Sequence, residues 1–312
     1  MSSSILLADT IEVVGLEKKF GDLEALRGVD LSVKSGIIHA VVGPDGAGKT
    51  TLLRILAGIM SPTGGKVKVL GRDVASAPES IKGKIGYLSQ RFSLNPSLTV
   101  EENIDFFASL YGVSNSDKIP RARRLLEFSR LAGFRTRRAA HLSGGMKQKL
   151  SLCCALIHTP ELLLLDEPTT GVDPISRREL WEILYDLLGE GVTVIVSTPY
   201  MDEAERAGEI TLLHKGRAII TGNMKILRSR YRFSMYELIT GDNLKALETS
   251  ARILGDEKVS LFGNRIHVAI GLSDDLSAFK SHLQNEGIQI KSIRSVEPGL
   301  EDIFIQELAD AG

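Results

Sequence analysis

Eight consecutive residues constrain this chain more than anything else in it: Gly43-Pro44-Asp45-Gly46-Ala47-Gly48-Lys49-Thr50. They fit G-x-x-x-x-G-K-[ST] at every fixed position. Before them, IIHAVVG at 37–43 is a nearly continuous β-branched run, the pattern of a strand buried on both faces. After them, TLLRILAGI sets Leu52, Ile55 and Leu56 at helical spacing. A strand, a glycine turn and a helix in this order build a phosphate cradle. The glycines let successive backbone N–H groups curl around phosphate oxygens, and the helix presents its positive end to them. In this pattern Lys49 reaches the β- and γ-phosphates of a nucleotide, and the Thr50 hydroxyl binds Mg2+.

A second stretch, Leu162-Leu163-Leu164-Leu165-Asp166-Glu167-Pro168, reads as a buried parallel strand ending in two carboxylates. Asp166 is expected to hold Mg2+ through water, and Glu167 to polarise the attacking water. The two motifs define a P-loop ATPase without saying which kind. The third, Leu142-Ser143-Gly144-Gly145-Met146, opens a helix and offers another anion-binding geometry. One chain needs no second cradle for one ATP. This cradle is therefore expected to cap the γ-phosphate held by a second subunit.

With these residues in view, the chain resembles the nucleotide-binding subunit of an ABC transporter. GPDGAGKT corresponds to the family's Walker A, LLLLDEP to its Walker B and LSGGM to its signature. The resemblance spans roughly residues 10–225 with all motifs in order. It implies a nucleotide contact along Gly43, Pro44, Asp45, Gly46, Ala47, Gly48, Lys49, Thr50 and Thr51, and an adenine stacked on Phe20. It implies that Gln90 senses Mg2+ and water and faces the membrane partner. Asp173, in Gly171-Val172-Asp173-Pro174, is placed in the loop that crosses the dimer interface. Two such subunits close head to tail around two ATP molecules, so Ser143, Gly144 and Gly145 act on the partner's nucleotide. The finer resemblance, carried by LSGGMKQKL, GVDPISRRELW and the tail SVEPGLEDIFIQEL, is to ABC-2 type exporters. Within them it is to the first ATPase half of a duplicated multidrug-exporter ATPase. It implies an integral-membrane permease, a second ATP-binding subunit as homo- or heterodimer, and a peripheral position on the cytoplasmic face of the inner membrane.

One position departs from the family. Where a switch histidine follows Ser-Thr, this chain reads Val196-Ser197-Thr198-Pro199-Tyr200. Proline has no imidazole and no backbone donor. None of the six histidines stands at that place. Slow hydrolysis at the chain's own site is expected, with Glu167 retained. Two alternatives remain: a regulatory subunit with little turnover of its own, and a non-transport ABC ATPase. The latter usually carries a coiled-coil insertion or tandem ATPase units, neither of which is seen.

The 312 residues suffice for two domains. Strand-rich material alternates with a helical block at about 92–160, giving an α/β P-loop core with an antiparallel β subdomain and an inserted helical subdomain over 8–228. Pro120 is placed near the start of its helix, where proline is tolerated. Residues 229–312 read β-α-β-β-α-β with a final helix, a ferredoxin-like α+β domain. Asp274 and Asp275 read as helix caps there.

Composition removes other classes. With 43% apolar and 25% charged residues the chain is an ordinary globular mix. A net charge of −1 argues against a nucleic-acid clamp. The arginines at 121–138 lack the aromatic interleaving of a base-stacking surface, so no nucleic acid is expected. The adjacent Cys153 and Cys154 read as buried apolar residues rather than a disulfide or metal pair. No apolar run reaches the ~18 residues of a membrane span. The N-terminus has neither the basic start nor the cleavage site of a signal peptide.

Overall fold

The computed structural model describes residues 9–271 and 275–311; Asp274 lies outside them. The chain divides into two compact units, one ending at Thr221 and one beginning at Gly222. The division falls before the helix Met224–Ser229, which packs against the C-terminal helix Leu300–Ala311 of the second unit.

The first unit is built on a six-stranded sheet. Its order is Arg217–Gly222, Glu209–His214, Ile38–Val42, Thr193–Thr198, Leu162–Asp166, Ile85–Leu88. The ladders joining the last five strands are parallel. The three central strands Ile38–Val42, Leu162–Asp166 and Thr193–Thr198 are buried along their whole length. Only strands covered on both faces bear such unbroken apolar runs. On one face the helix Lys49–Leu56 packs Leu52, Leu53, Ile55 and Leu56 into a core shared with an antiparallel sheet. That sheet runs Leu23–Lys34, Asp9–Phe20, Gly64–Val69, Arg72–Asp73. On the other face Leu152, Leu156, Leu180, Trp181, Leu184 and Leu187 of two long helices, Gly144–Leu156 and Pro174–Gly189, close the core.

The helical subdomain has its own core of Leu94, Val100, Ile104, Leu126, Leu131, Leu150, Cys153 and Cys154. Both cysteines are free and buried, and burial pushes the Cys153 thiol up to about 11. Its first helix, Val100–Leu110, starts on a capping box in which Thr99 and Glu102 satisfy each other's backbone N–H. The next, Asn115–Phe128, begins at a Ser114 cap, so Pro120 stands inside the helix rather than in its first turn. The cap serine fixes the start upstream, and the helix accommodates one missing backbone donor.

The second unit has the order strand Phe233–Thr240, helix Asn243–Leu254, strands Val259–Phe262 and Arg265–Gly271, helix Leu276–Asn285, strand Ile290–Ser295, helix Leu300–Ala311. Its sheet order places Phe233–Thr240 between Arg265–Gly271 and Ile290–Ser295, with Val259–Phe262 at the edge. This is a ferredoxin-like arrangement. Asp275 caps its helix by accepting from Ser277 N at 2.7 Å. Glu237 is buried and held by Arg265 and Arg294, each at 2.8 Å. No helix of the described residues is long and apolar enough to cross a membrane.

Candidate active site

The loop 43–48 leaves the central strand Ile38–Val42 under tight steric control. A Cβ on Gly43 would stand 2.0 Å from the Leu213 carbonyl oxygen, and one on Gly48 would stand 2.7 Å from that of Ala25. Gly46 and Gly48 hold φ of +77° and +106°, conformations that glycine adopts without the Cβ penalty. The loop therefore curls back, starts the helix at Lys49 and walls one cavity. That cavity is about 540 Å³, within the ~300–1,000 Å³ of small-molecule sites. It is lined by Asp45 to Thr51, by Phe20 and Leu23 at the end of the antiparallel sheet, and by Gln90, Glu167 and Lys215.

The two carboxylates end the buried strand Leu162–Asp166. Asp166 is fully buried, accepting from the Thr50 hydroxyl at 3.0 Å and the Ser197 hydroxyl at 2.8 Å. Burial raises its pKa, and those hydroxyl hydrogen bonds oppose the rise. Glu167 follows with φ +49°, a left-handed conformation that costs a non-glycine residue roughly 1–2 kcal/mol. Its N–H is held by the Ser197 hydroxyl at 3.0 Å. The turn lays its side chain against the cradle. Its Oε1 is 3.1 Å from the Lys49 ammonium, and its Oε2 accepts from Gln90 Nε2 at 2.8 Å and the Thr170 hydroxyl at 3.2 Å. Lys49 Nζ also donates to the Gly43 carbonyl at 2.8 Å and the Pro44 carbonyl at 3.1 Å. Lys49, Thr50, Gln90, Asp166 and Glu167 thus form one connected group. Gln90 comes to it from the segment after Ile85–Leu88, the strand beside the carboxylate strand.

These residues fit a nucleoside polyphosphate with a hard cation. The loop offers a backbone cradle that a Cβ would fill, and a lysine lies within it. Thr50 and Asp166 are oxygen donors of the kind magnesium takes, usually alongside phosphate oxygens. Phe20 lines the same cavity and is exposed.

Ser143, Gly144, Gly145 and Asp173 are not brought to this cavity. Ser143 caps its helix by accepting from Met146 N at 3.3 Å. Asp173 caps the helix Pro174–Gly189 by accepting from Ile175 N and Ser176 N. Those backbone donors hold its carboxyl below its ordinary pKa. Ser143, Gly144 and Asp173 are exposed, while Gly145 is buried against Ser176.

No histidine lines the cavity. Pro199 follows Thr198, whose carbonyl accepts from Gly43 N at 3.4 Å. Tyr200 lies under the Arg177 guanidinium, 4.5 Å from ring centre to Cζ. Beside it is a group that sequence reading missed. The buried Glu203 accepts from the Thr169 hydroxyl at 2.6 Å and the Thr198 hydroxyl at 3.2 Å, and lies 3.6 Å from Arg177. Leu23, Glu24, Ala25, Arg27 and Lys215 were also not foreseen on the cavity wall. For Lys215 a signal existed, since Lys215-Gly216 separates two β-branched runs, ITLL and AIIT.

Fold and loop define a P-loop protein, and the comparisons with known proteins narrow that class. A family model described as ABC transporter matches residues 26–170, and one described as ATP-binding protein DrrA1-3-like, C-terminal domain, matches residues 222–308. The daunorubicin resistance ATP-binding protein DrrA3 of Streptomyces coeruleorubidus is 34% identical, over 97% of this chain and 98% of its own length. The probable multidrug ABC transporter ATP-binding protein YbhF of Escherichia coli is 37% identical over 97% of this chain, which spans only 52% of that relative. Among solved structures, an ATP-binding subunit of an ABC transporter superposes with TM-score 0.66 at 31% identity, covering 71% of this chain and 93% of its own. A dimeric post-hydrolysis state of the ATP-binding cassette MJ0796, bound to ADP and Pi, does so with TM-score 0.64 at 28% identity, covering 69% and 98%. The chain belongs to the ATP-binding subunits of ABC transporters and is related to those of the ABC-2 type multidrug and daunorubicin-resistance exporters.

Proposed function

We propose that the chain binds MgATP between Phe20 and the 43–51 loop and hydrolyses it slowly to drive a membrane exporter. The observation that carries this is Glu167. Its carboxylate is turned by a left-handed backbone onto both Lys49 and Gln90, at the wall of the cradle. MgATP, when bound, supplies the reactive γ-phosphoryl group and a cation that offsets its charge. The loop N–H groups and Lys49 orient the phosphates. Thr50, Asp166 and Gln90 would hold the cation. Glu167 accepts the proton of the attacking water, and Gln90 aligns it.

Ser143, Gly144 and Asp173 lie on exposed surface away from the chain's own cavity, which supports their acting on a second subunit's nucleotide in a head-to-tail dimer. The dimeric state of the MJ0796 cassette supports such pairing. The permease is an integral-membrane partner, and the chain works from the cytoplasmic face of the inner membrane. Drug export is the class that the related proteins suggest. One observation favours a second reading. With Pro199 in the switch position, and no histidine on the cavity wall, a regulatory subunit of little turnover fits as well.

Steady-state MgATP hydrolysis by the purified chain, with Lys49→Ala as blank and Glu167→Gln as the catalytic control, tests the proposal. Turnover above the blank that is lost in Glu167→Gln is the expected result. ATP binding with turnover at the blank would turn the reading to the regulatory subunit. No ATP binding would overturn both.

A further inference from the structure

We infer that Lys215, at the tip of the hairpin formed by Glu209–His214 and Arg217–Gly222, is a nucleotide-binding residue that contacts the phosphate chain at its nucleoside end. The inference rests on the nucleotide reading of the cavity and adds a residue from outside its motifs.

Three observations carry it. The first is the turn. Lys215 and Gly216 have φ of +46° and +78°, so both central residues of this two-residue hairpin are left-handed. That is the type I′ geometry, where Asn-Gly, Asp-Gly or Gly-Gly is usual. Lysine at the first position bears a Cβ penalty that glycine would avoid. Local structure therefore does not explain the residue.

The second is placement. The hairpin is fastened to the cradle itself: Gly216 N donates to the Ala47 carbonyl at 3.0 Å, and Arg27 N donates to the Gly216 carbonyl at 2.8 Å. A Cβ on Gly216 would stand 2.8 Å from the Ala25 carbonyl oxygen. These contacts fasten the turn to Ala25, Arg27 and Ala47, and Lys215 lines the same cavity as Phe20 and the 45–51 segment.

The third is charge. Arg27, Lys49 and Lys215 line the cavity together with Glu24, Asp45 and Glu167. Lys49 is paired with Glu167, and Arg27 is within 3.6 Å of Glu24. Among the described residues no carboxylate forms an ion pair with Lys215, which is exposed. Its charge is left for a polyanion, while Arg27 shares Glu24 with Lys19, which lies 2.7 Å from that carboxylate.

The test uses Lys215→Gly, because the variant relieves the backbone while removing the charge. Equilibrium binding of MgADP and MgATP is measured for the full chain, with adenosine as the uncharged probe, beside thermal melting. The inference expects both nucleotides to bind roughly 5–10-fold more weakly, as for one phosphate contact at a partly solvated site. Adenosine binding should be unchanged, the melting temperature should be equal or higher, and Lys215→Arg should retain affinity. Unchanged MgADP affinity in Lys215→Gly, with affinity lost in Lys49→Ala, would overturn it. So would a lower melting temperature with all three ligands weakened equally, which would mark a structural role. Absence of MgADP and MgATP binding in the unaltered chain would instead overturn the nucleotide reading on which the inference rests.

Discussion

Gly145→Ala should loosen the joint between the signature segment and the helix Pro174–Gly189. A Cβ on Gly145 would stand 2.4 Å from Ser176 Oγ and 2.6 Å from Ser176 Cβ. Carbon atoms in contact rest at about 3.5–4.0 Å, so the two helices must part by roughly 1 Å. The Lys149–Glu179 ion pair ties the same two helices and resists that shift. Overpacking of this kind costs about 1–3 kcal/mol. At roughly 2–4 °C per kcal/mol for a unit of this size, a 2 kcal/mol loss lowers the melting point by about 4–8 °C. Trp181 is the sole tryptophan and is buried in the displaced helix, so its fluorescence reports the event directly. Ser176→Gly should cost about 1 kcal/mol or less, because Ser176 stands in the first turn after the Asp173 cap. The double variant should recover most of the Gly145→Ala loss, because the space is then free. Nucleotide affinity of the monomeric chain's own cavity should hold in all three variants, since neither residue lines it. A wild-type melting point for Gly145→Ala, or strict additivity in the double variant, would refute the reasoning.

Pro199→His should raise steady-state MgATP turnover by roughly 10²-fold if the missing imidazole limits the chain's own site, the usual worth of one transition-state contact; a rate equal to wild type would dismiss that limit. Glu203→Ala should destabilise the first unit by about 2–3 kcal/mol in urea unfolding, because it leaves Arg177 without its carboxylate and two buried hydroxyls without their acceptor. Glu203→Gln, which keeps an acceptor, should cost less. The Lys149 hydrogen bond, then its charge, holds the Glu179 carboxyl below its ordinary value of 4.5. Since the folded pKa is depressed, this stabilisation is present above pH 4.5 and is lost as pH falls through the folded value. The melting point should therefore drop more steeply with acid in the wild type than in Glu179→Gln.

The parts of the site read from sequence are those in which chemistry and backbone geometry demand the same short segment. Gly43 and Gly48 are required by carbonyls at 2.0 and 2.7 Å, and Lys49 follows them in the pattern. The strand ending in Asp166 and Glu167 was visible as an apolar run because it is buried along its length. What stayed hidden depends on tertiary approach. Glu203 stands in an exposed-looking acidic run, MDEAE, and only the fold shows that it is buried against Thr169, Thr198 and Arg177. The approach of the Lys215 hairpin to the glycine loop is of the same kind, since nothing local says that Gly216 donates to Ala47. The helix start at Ser114 was missed because Pro120 dominated the local reading, whereas the serine cap decides where the first turn forms.

The position of Pro199 illustrates the same point at the level of function. If 199 is the switch position, as proposed above, the loop lacks the imidazole but keeps its anchorage. Thr198 is fastened on both sides: its carbonyl accepts from Gly43 N in the cradle, and its hydroxyl donates to Glu203. Glu203 in turn meets Arg177, whose Nε donates to the Val172 carbonyl in the loop that ends at Asp173. The exposed Asp173 cap is thus joined to the glycine loop through Val172, Arg177, Glu203 and Thr198, none of which is a histidine. Contiguity is not coupling by itself. It does mean that a set of polar contacts runs unbroken from the Asp173 loop to Gly43, and that Pro199 stands beside this path without interrupting it.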